Sequence, residues 1–165
     1  MRIILLRTLL LAMVILLNSC SPEEPAGSPT VTEQVKDYNY NPIELNLVEA
    51  INEYRESIGL NRLETIDHVS FKSGEHNQYM ITNKVVNHDK FEQRSQNIMD
   101  VLGAVKVNEN IAYNYTTPAG AMHAWLESAG HKANIEGDFT HFGVSVTEDP
   151  LTGKKYYTNI FIKIN

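Results

Sequence analysis

Three side chains far apart in the sequence carry the residue types that metal-assisted or proton-transfer chemistry needs: His88, Glu109 and His131. Two imidazoles and one carboxylate suit an open zinc site with a fourth position left for water. The same trio suits general acid and base work. Each also has an ordinary structural use. His88 sits in Val86-Asn87-His88-Asp89, where it can pair with Asp89 as a turn histidine, and His131 follows Gly130, where it can cap the carbonyls of a preceding helix. Glu109 is harder to explain that way. It falls on the apolar side of an alternating run, and a buried carboxylate left unpaired costs on the order of several kcal/mol.

The remaining histidines read as structural. His76 lies in the inward stripe of a helix, His123 opposite Trp125 on another, and His68 near a helix start is expected to be exposed, while His141 opens a strand. The sequence holds no HExxH, GxSxG, Walker loop, GxGxxG or EF-hand loop. Ser128, three residues after Trp125, has no elbow motif to make it a nucleophile. The single cysteine, Cys20, excludes an internal disulfide framework and a Cys-rich zinc knuckle.

These residues must be positioned by a mixed set of elements. Leu47, Val48, Ile51, Tyr54 and Ile58 predict an amphipathic helix over 47–58, with Asn46 and Glu49 as a capping box and Gly59 as the stop. Val69, Ser73, His76 and Met80 mark a second helix from about Asp67 to Lys84, and Phe91, Ile98 and Leu102 a third. Thr117 and Pro118 open a further helix with the stripe Ala121, Met122, Trp125, Leu126 and Ala129, ended by Gly130. Val107, Glu109, Ile111 and Tyr113 alternate as one strand, Phe142, Val144 and Val146 as a second, and Tyr156–Ile164 returns after the turn at 148–153. Helices first and a late antiparallel hairpin make the class α+β.

The N-terminus reads as an address. Arg2 and Arg7 precede the apolar run Leu9–Leu17, the order of a secretory signal, and Leu17-Asn18-Ser19-Cys20 resembles the lipobox of bacterial lipoproteins. Residues 1–19 are therefore expected to be a lipoprotein signal peptide, Cys20 the lipidation site and membrane anchor, 20–43 a Pro, Ser and Glu-rich disordered tether, and 44–165 the folded domain. Glu23 and Glu24 close behind the cysteine look like a surface-export signal, which places the protein at the outer membrane or cell surface. After the first twenty residues the chain holds twelve basic against twenty acidic side chains. That balance argues against a nucleic-acid partner.

Taken in order, a set of short segments resembles a bacterial CAP domain, of the superfamily of cysteine-rich secretory proteins, antigen 5 and pathogenesis-related 1. They are Ile51-Asn52-Glu53-Tyr54-Arg55, Asn87-His88, Arg94, Glu109-Asn110-Ile111-Ala112, Trp125 through Ile135, Phe142-Gly143-Val144 and Tyr156-Tyr157-Thr158. The resemblance implies a three-layer α-β-α sandwich with a small, mainly antiparallel sheet. It also implies a cleft lined by His88, Glu109 and His131, with Ser128 at a position where many eukaryotic relatives carry a second glutamate. A divalent cation such as zinc, held by His88 and His131, is implied as a possible cofactor. The superfamily shares no common reaction. The expected role is binding of an extracellular or envelope ligand, the alternative a metal-dependent, peptidase-like hydrolase with Glu109 as base.

Overall fold

The computed structural model describes residues 34–165; the expected signal peptide, Cys20 and most of the expected tether lie outside the described residues. The first helix, α1 (Pro42–Ser57), starts earlier than its apolar stripe suggests. Asn41 is its N-cap: the side-chain oxygen accepts from the amides of Ile43 and Glu44 at 2.9 and 3.0 Å, and Glu44 accepts from the Asn41 amide at 2.9 Å. Asn-x-x-Glu occurs at both 41–44 and 46–49. Pro42, preorganised for the first helical position, starts the helix at the earlier copy.

Glu44 is buried, and its Oε1 accepts from the Val146 amide at 2.8 Å and the Tyr38 hydroxyl at 2.6 Å. Tyr40 shares a hydrogen bond with Ser70, and the Lys36 amide donates to His68 Nδ1 at 3.3 Å. Residues 36–43 are therefore strapped to the domain rather than part of a tether. His68, expected at the surface, is fully buried under that strap, with Nε2 bonded to Asn97 at 3.0 Å.

The elements that follow are β1 (Glu64–Thr65), α2 (Asp67–Asn83), α3 (Phe91–Leu102), β2 (Lys106–Tyr113), α4 (Pro118–Glu127), α5 (Ala129–Ile135), β3 (His141–Glu148) and β4 (Lys155–Lys163). The sheet runs β1-β3-β4-β2, with β1 parallel to β3 and the other pairs antiparallel. Helices cover both faces. Phe142, Val144, Val146, Tyr157 and Phe161 pack on one side with Leu47 and Ile51 of α1, Trp125 of α4 and Ile135 of α5. Val107, Ile160 and Ile162 pack on the other with Val69 of α2 and Ile98 of α3, and Met80, Ile111 and Tyr156 extend that layer. The expected α-β-α sandwich is the observed fold, and residues 32–165 form one compact unit.

Gly143 sets the approach of α2 to β3. A Cβ there would stand 2.3 Å from the Ser70 amide nitrogen and 2.5 Å from the Val69 carbonyl carbon, so only glycine fits. The close approach lets Ser70 Oγ accept from the Val144 amide at 3.1 Å and Ser73 Oγ donate to the Gly143 carbonyl at 3.2 Å.

One helix boundary differs from the sequence reading. The stripe through Trp125 ends at Glu127, the chain straightens at Ser128 (φ −100°, ψ 117°), and Gly130 lies inside the next helix, α5. Gly130 is no stop, and His131 is a residue of α5 rather than a cap on the carbonyls of α4.

Candidate functional site

Glu109 points from β2 into the layer of α2 and α3, and it is paired. Arg94 of α3 donates from Nη2 to both carboxylate oxygens at 2.9 and 2.7 Å and from Nε to Oε2 at 3.1 Å. His88 closes the other side, its Nδ1 2.9 Å from Oε1. A carboxylate only accepts, so His88 donates from Nδ1, and its Nε2 lone pair is left on a side chain that is half exposed. Asp89 is engaged instead by the Tyr79 hydroxyl and the Asn87 amide. His88 therefore does not pair with its neighbour.

The loop that carries His88 runs between two lysines in the left-handed region, Lys84 (φ 55°) and Lys90 (φ 58°). It is fastened from below. His76 of α2, fully buried, bonds the Asn87 carbonyl through Nε2 at 2.8 Å, and Arg94 donates to the Asp89 carbonyl at 2.8 Å. With Nε2 as the donor, His76 Nδ1 is a buried acceptor without a partner among the described residues. Burial holds its pKa below the ordinary value; Glu109 opposes this from 3.8 Å, while Arg94 and His88 add to it.

His131 reaches the same region from α5. The side-chain amide of Asn110 donates to the His131 carbonyl at 2.9 Å, and Asn134 bonds both the Asn110 side chain at 2.8 Å and the Glu109 carbonyl at 3.3 Å. Trp125 Nε1 donates to the Ile111 carbonyl at 2.8 Å. These contacts occupy carbonyls along β2, an edge strand, and fix the helices against it. Half-burial, then the charge His88 can carry, hold the His131 pKa below its ordinary value. The backbone of Ser128 makes the α4 to α5 junction, and its hydroxyl forms no cap bond to α5.

The arrangement assigns distinct chemistry to the expected trio. Glu109 has both oxygens engaged by Arg94 and His88, which suits orienting an imidazole from behind, the usual second-layer partner of a ligating histidine. Among the described residues no group of three His, Cys, Asp or Glu side chains stands as a cation cage. Glu109 is the group that fixes which His88 nitrogen carries the proton.

Residues 48–161 match the cysteine-rich secretory protein family, also called CAP. The chain belongs to this family. In fold the CAP domain is similar to an outer surface protein from Borrelia burgdorferi, with a TM-score of 0.69, 20% identity, and coverage of 80% of this chain and 100% of that one. An extracellular protein of Bacillus anthracis containing an SCP domain aligns with a TM-score of 0.65 at 26% identity, over 73% of this chain and 40% of the other. In sequence the chain is 28% identical over 137 residues to the uncharacterized protein YkwD of Bacillus subtilis, 79% of this chain and 52% of YkwD. It is 48% identical over 59 residues to the uncharacterized membrane protein YlbC of the same organism, 35% of this chain and 15% of YlbC. The chain thus spans about half of one curated relative and less of the other.

Arg94, His76 and Asn134 complete the CAP site without having been read as site residues from sequence. Arg94 had a legible signal: with Phe91 and Ile98 it falls on the inward face of α3, where a cation needs a buried carboxylate. His76 had none beyond its place in the α2 stripe.

Proposed function

We propose that the chain is an exported lipoprotein, anchored through Cys20, whose CAP domain binds an envelope or extracellular ligand at the cleft of His88 and His131. The observation that carries this reading is the orientation of His88: its Nδ1 is fixed on a buried, Arg-paired carboxylate, and its remaining nitrogen is presented at a half-exposed position near a second imidazole. Such a pair offers lone pairs to a divalent cation or to a donor-bearing ligand. The location draws support from the relatives, one an outer surface protein, one extracellular and one a membrane protein by name.

Hydrolysis is the second reading, and it would require Glu109 to act as base on a water. The bidentate Arg94 contact argues against that role, since a base needs a lone pair aimed at the water it deprotonates. A zinc titration of the metal-free domain by calorimetry tests the binding reading. Saturable binding that is lost in His88→Ala with His131→Ala, and weakened in Glu109→Gln, is expected; equal binding by all variants would refute it. Turnover of peptide or peptidoglycan fragments that vanishes in folded Glu109→Gln would establish the hydrolase instead.

A further inference from the structure

A second cavity, sharing none of His88, Glu109 or His131, lies where the C-terminal end of α2 meets the turn between β3 and β4. Its volume is about 620 Å³, within the range of small-molecule sites. The floor and walls are Ile81, Tyr113, Tyr156, Val86 and Leu151, and Lys84 stands among the lining residues. Tyr113 and Tyr156 tilt together with ring centroids 4.7 Å apart, leaving an aromatic surface.

Three features of this cavity lack a structural explanation. Leu151, in the turn, is 89% exposed, and Val86, also in the lining, is 46% exposed. Two large aliphatic side chains in water at the rim of one cavity mark a surface suited to an apolar body. The second feature is charge. Asp149, also in the lining, spends its carboxylate on its own turn, accepting from the Leu151 amide at 2.9 Å and the Thr152 hydroxyl at 2.6 Å. Lys84, whose charge also acts on Asp149, and Lys154, 5.5 Å over the Tyr113 ring, outnumber that one carboxylate at the mouth.

The third is backbone strain. Lys84 is the C-cap of α2 at φ 55°, ψ 43°, a left-handed position where glycine is usual and a side chain costs about 1–2 kcal/mol. Lys90 (φ 58°) shares this geometry, so what bears on a ligand is the place of Lys84 among the lining residues.

We propose that this cavity binds a small aromatic carboxylate, its ring against Tyr113 and Tyr156 between Val86 and Leu151, and its carboxylate at Lys84 and Lys154. The site is additional to the histidine cleft and independent of its function. Aromatic packing supplies the affinity, and the lysines select the charge of the head.

The test is a titration of residues 32–165, one compact unit of the chain, with 2-naphthoate, followed by two-dimensional NMR, with neutral 2-naphthamide as the comparison. Saturable shifts centred on Val86, Tyr113, Leu151 and Tyr156 are expected, with the amide about fivefold weaker, the scale of one exposed charge pair. Two variants separate binding from folding. Lys84→Gly relieves the left-handed strain, so it should melt no lower than the parent yet bind 2-naphthoate about fivefold more weakly. Leu151→Ser changes a side chain already in water and should abolish the shifts with the melting temperature unchanged. Equal binding of acid and amide, unchanged affinity in Lys84→Gly, shifts centred elsewhere, or no saturable shift would each overturn the proposal.

Discussion

Arg94 grips Glu109 through both carboxylate oxygens, at 2.7 and 2.9 Å from one nitrogen and 3.1 Å from another, with both side chains buried. The pair joins α3 to β2 directly beneath His88, so the same contact that satisfies a buried charge also fixes the imidazole above it. Removing one partner leaves the other charged and desolvated, whereas removing both does not. Arg94→Met is therefore expected to lower the unfolding free energy by about 3–5 kcal/mol. Arg94→Met with Glu109→Met should recover much of that loss. Urea denaturation of the single and double variants measures it, and strictly additive losses would show that the pair is not coupled.

Burial makes His76 a pH-dependent element of stability. Its pKa in the folded domain lies below the ordinary value of 6.5, with desolvation the main cause, opposed by Glu109 and reinforced by Arg94 and His88. The unfolded chain therefore binds the proton more readily than the folded one. Stability from this group is complete above about pH 6.5 and falls as the pH drops toward the folded-state pKa. His131 shifts in the same direction and adds to the slope. Melting temperature should be flat from about pH 8 to 7 and decline below about 6.5, and His76→Gln should flatten the decline. A profile unchanged by that substitution would remove His76 as its source.

The strap at 36–41 is expected to be part of the folding unit. A chain beginning at residue 44 loses the Asn41 cap, the Tyr38 bond to Glu44 and the amide that Lys36 gives to His68. Asn41→Ala alone should cost about 1 kcal/mol. The truncated chain should melt well below one that begins at residue 34, and equal melting temperatures would return these residues to the tether.

How far the sequence reveals this molecule depends on whether the signal is local. Val69, Ser73, His76 and Met80 all turn inward from α2 because a 3.6-residue period needs no tertiary information. Phe142, Val144 and Val146 share one face of β3 for the equivalent reason at period two. By contrast β1 is two exposed residues, Glu64 and Thr65, whose strand character exists only because β3 lies beside them. The inward carboxylate at Glu109 is visible as an anomaly in its strand, but its partner comes from α3 through a contact 15 residues away in sequence. The end of α4 misleads for a different reason. Glycine there is a local stop signal, yet the break occurs at Ser128 and α5 is held on β2 by Asn134, a contact that local sequence does not display.

Two glycines should respond to alanine with opposite signs. At Gly143 the added Cβ meets backbone of α2 at 2.3 and 2.5 Å, and neither the central strand nor the helix can give way without breaking the Ser70 and Ser73 bonds between them. Gly143→Ala is expected to destabilise by about 3 kcal/mol or more, the upper range for overpacking. At Gly130 nothing lies within 4 Å of the added Cβ, and the residue is inside α5 rather than at a left-handed stop. Gly130→Ala should therefore stabilise by about 0.5–1 kcal/mol through helix propensity and reduced freedom of the unfolded chain. Denaturant midpoints of the two variants decide the matter. A destabilising Gly130→Ala would mean that the glycine ends a helix after all, and a neutral Gly143→Ala would mean that α2 does not lie as close to β3 as its hydrogen bonds require.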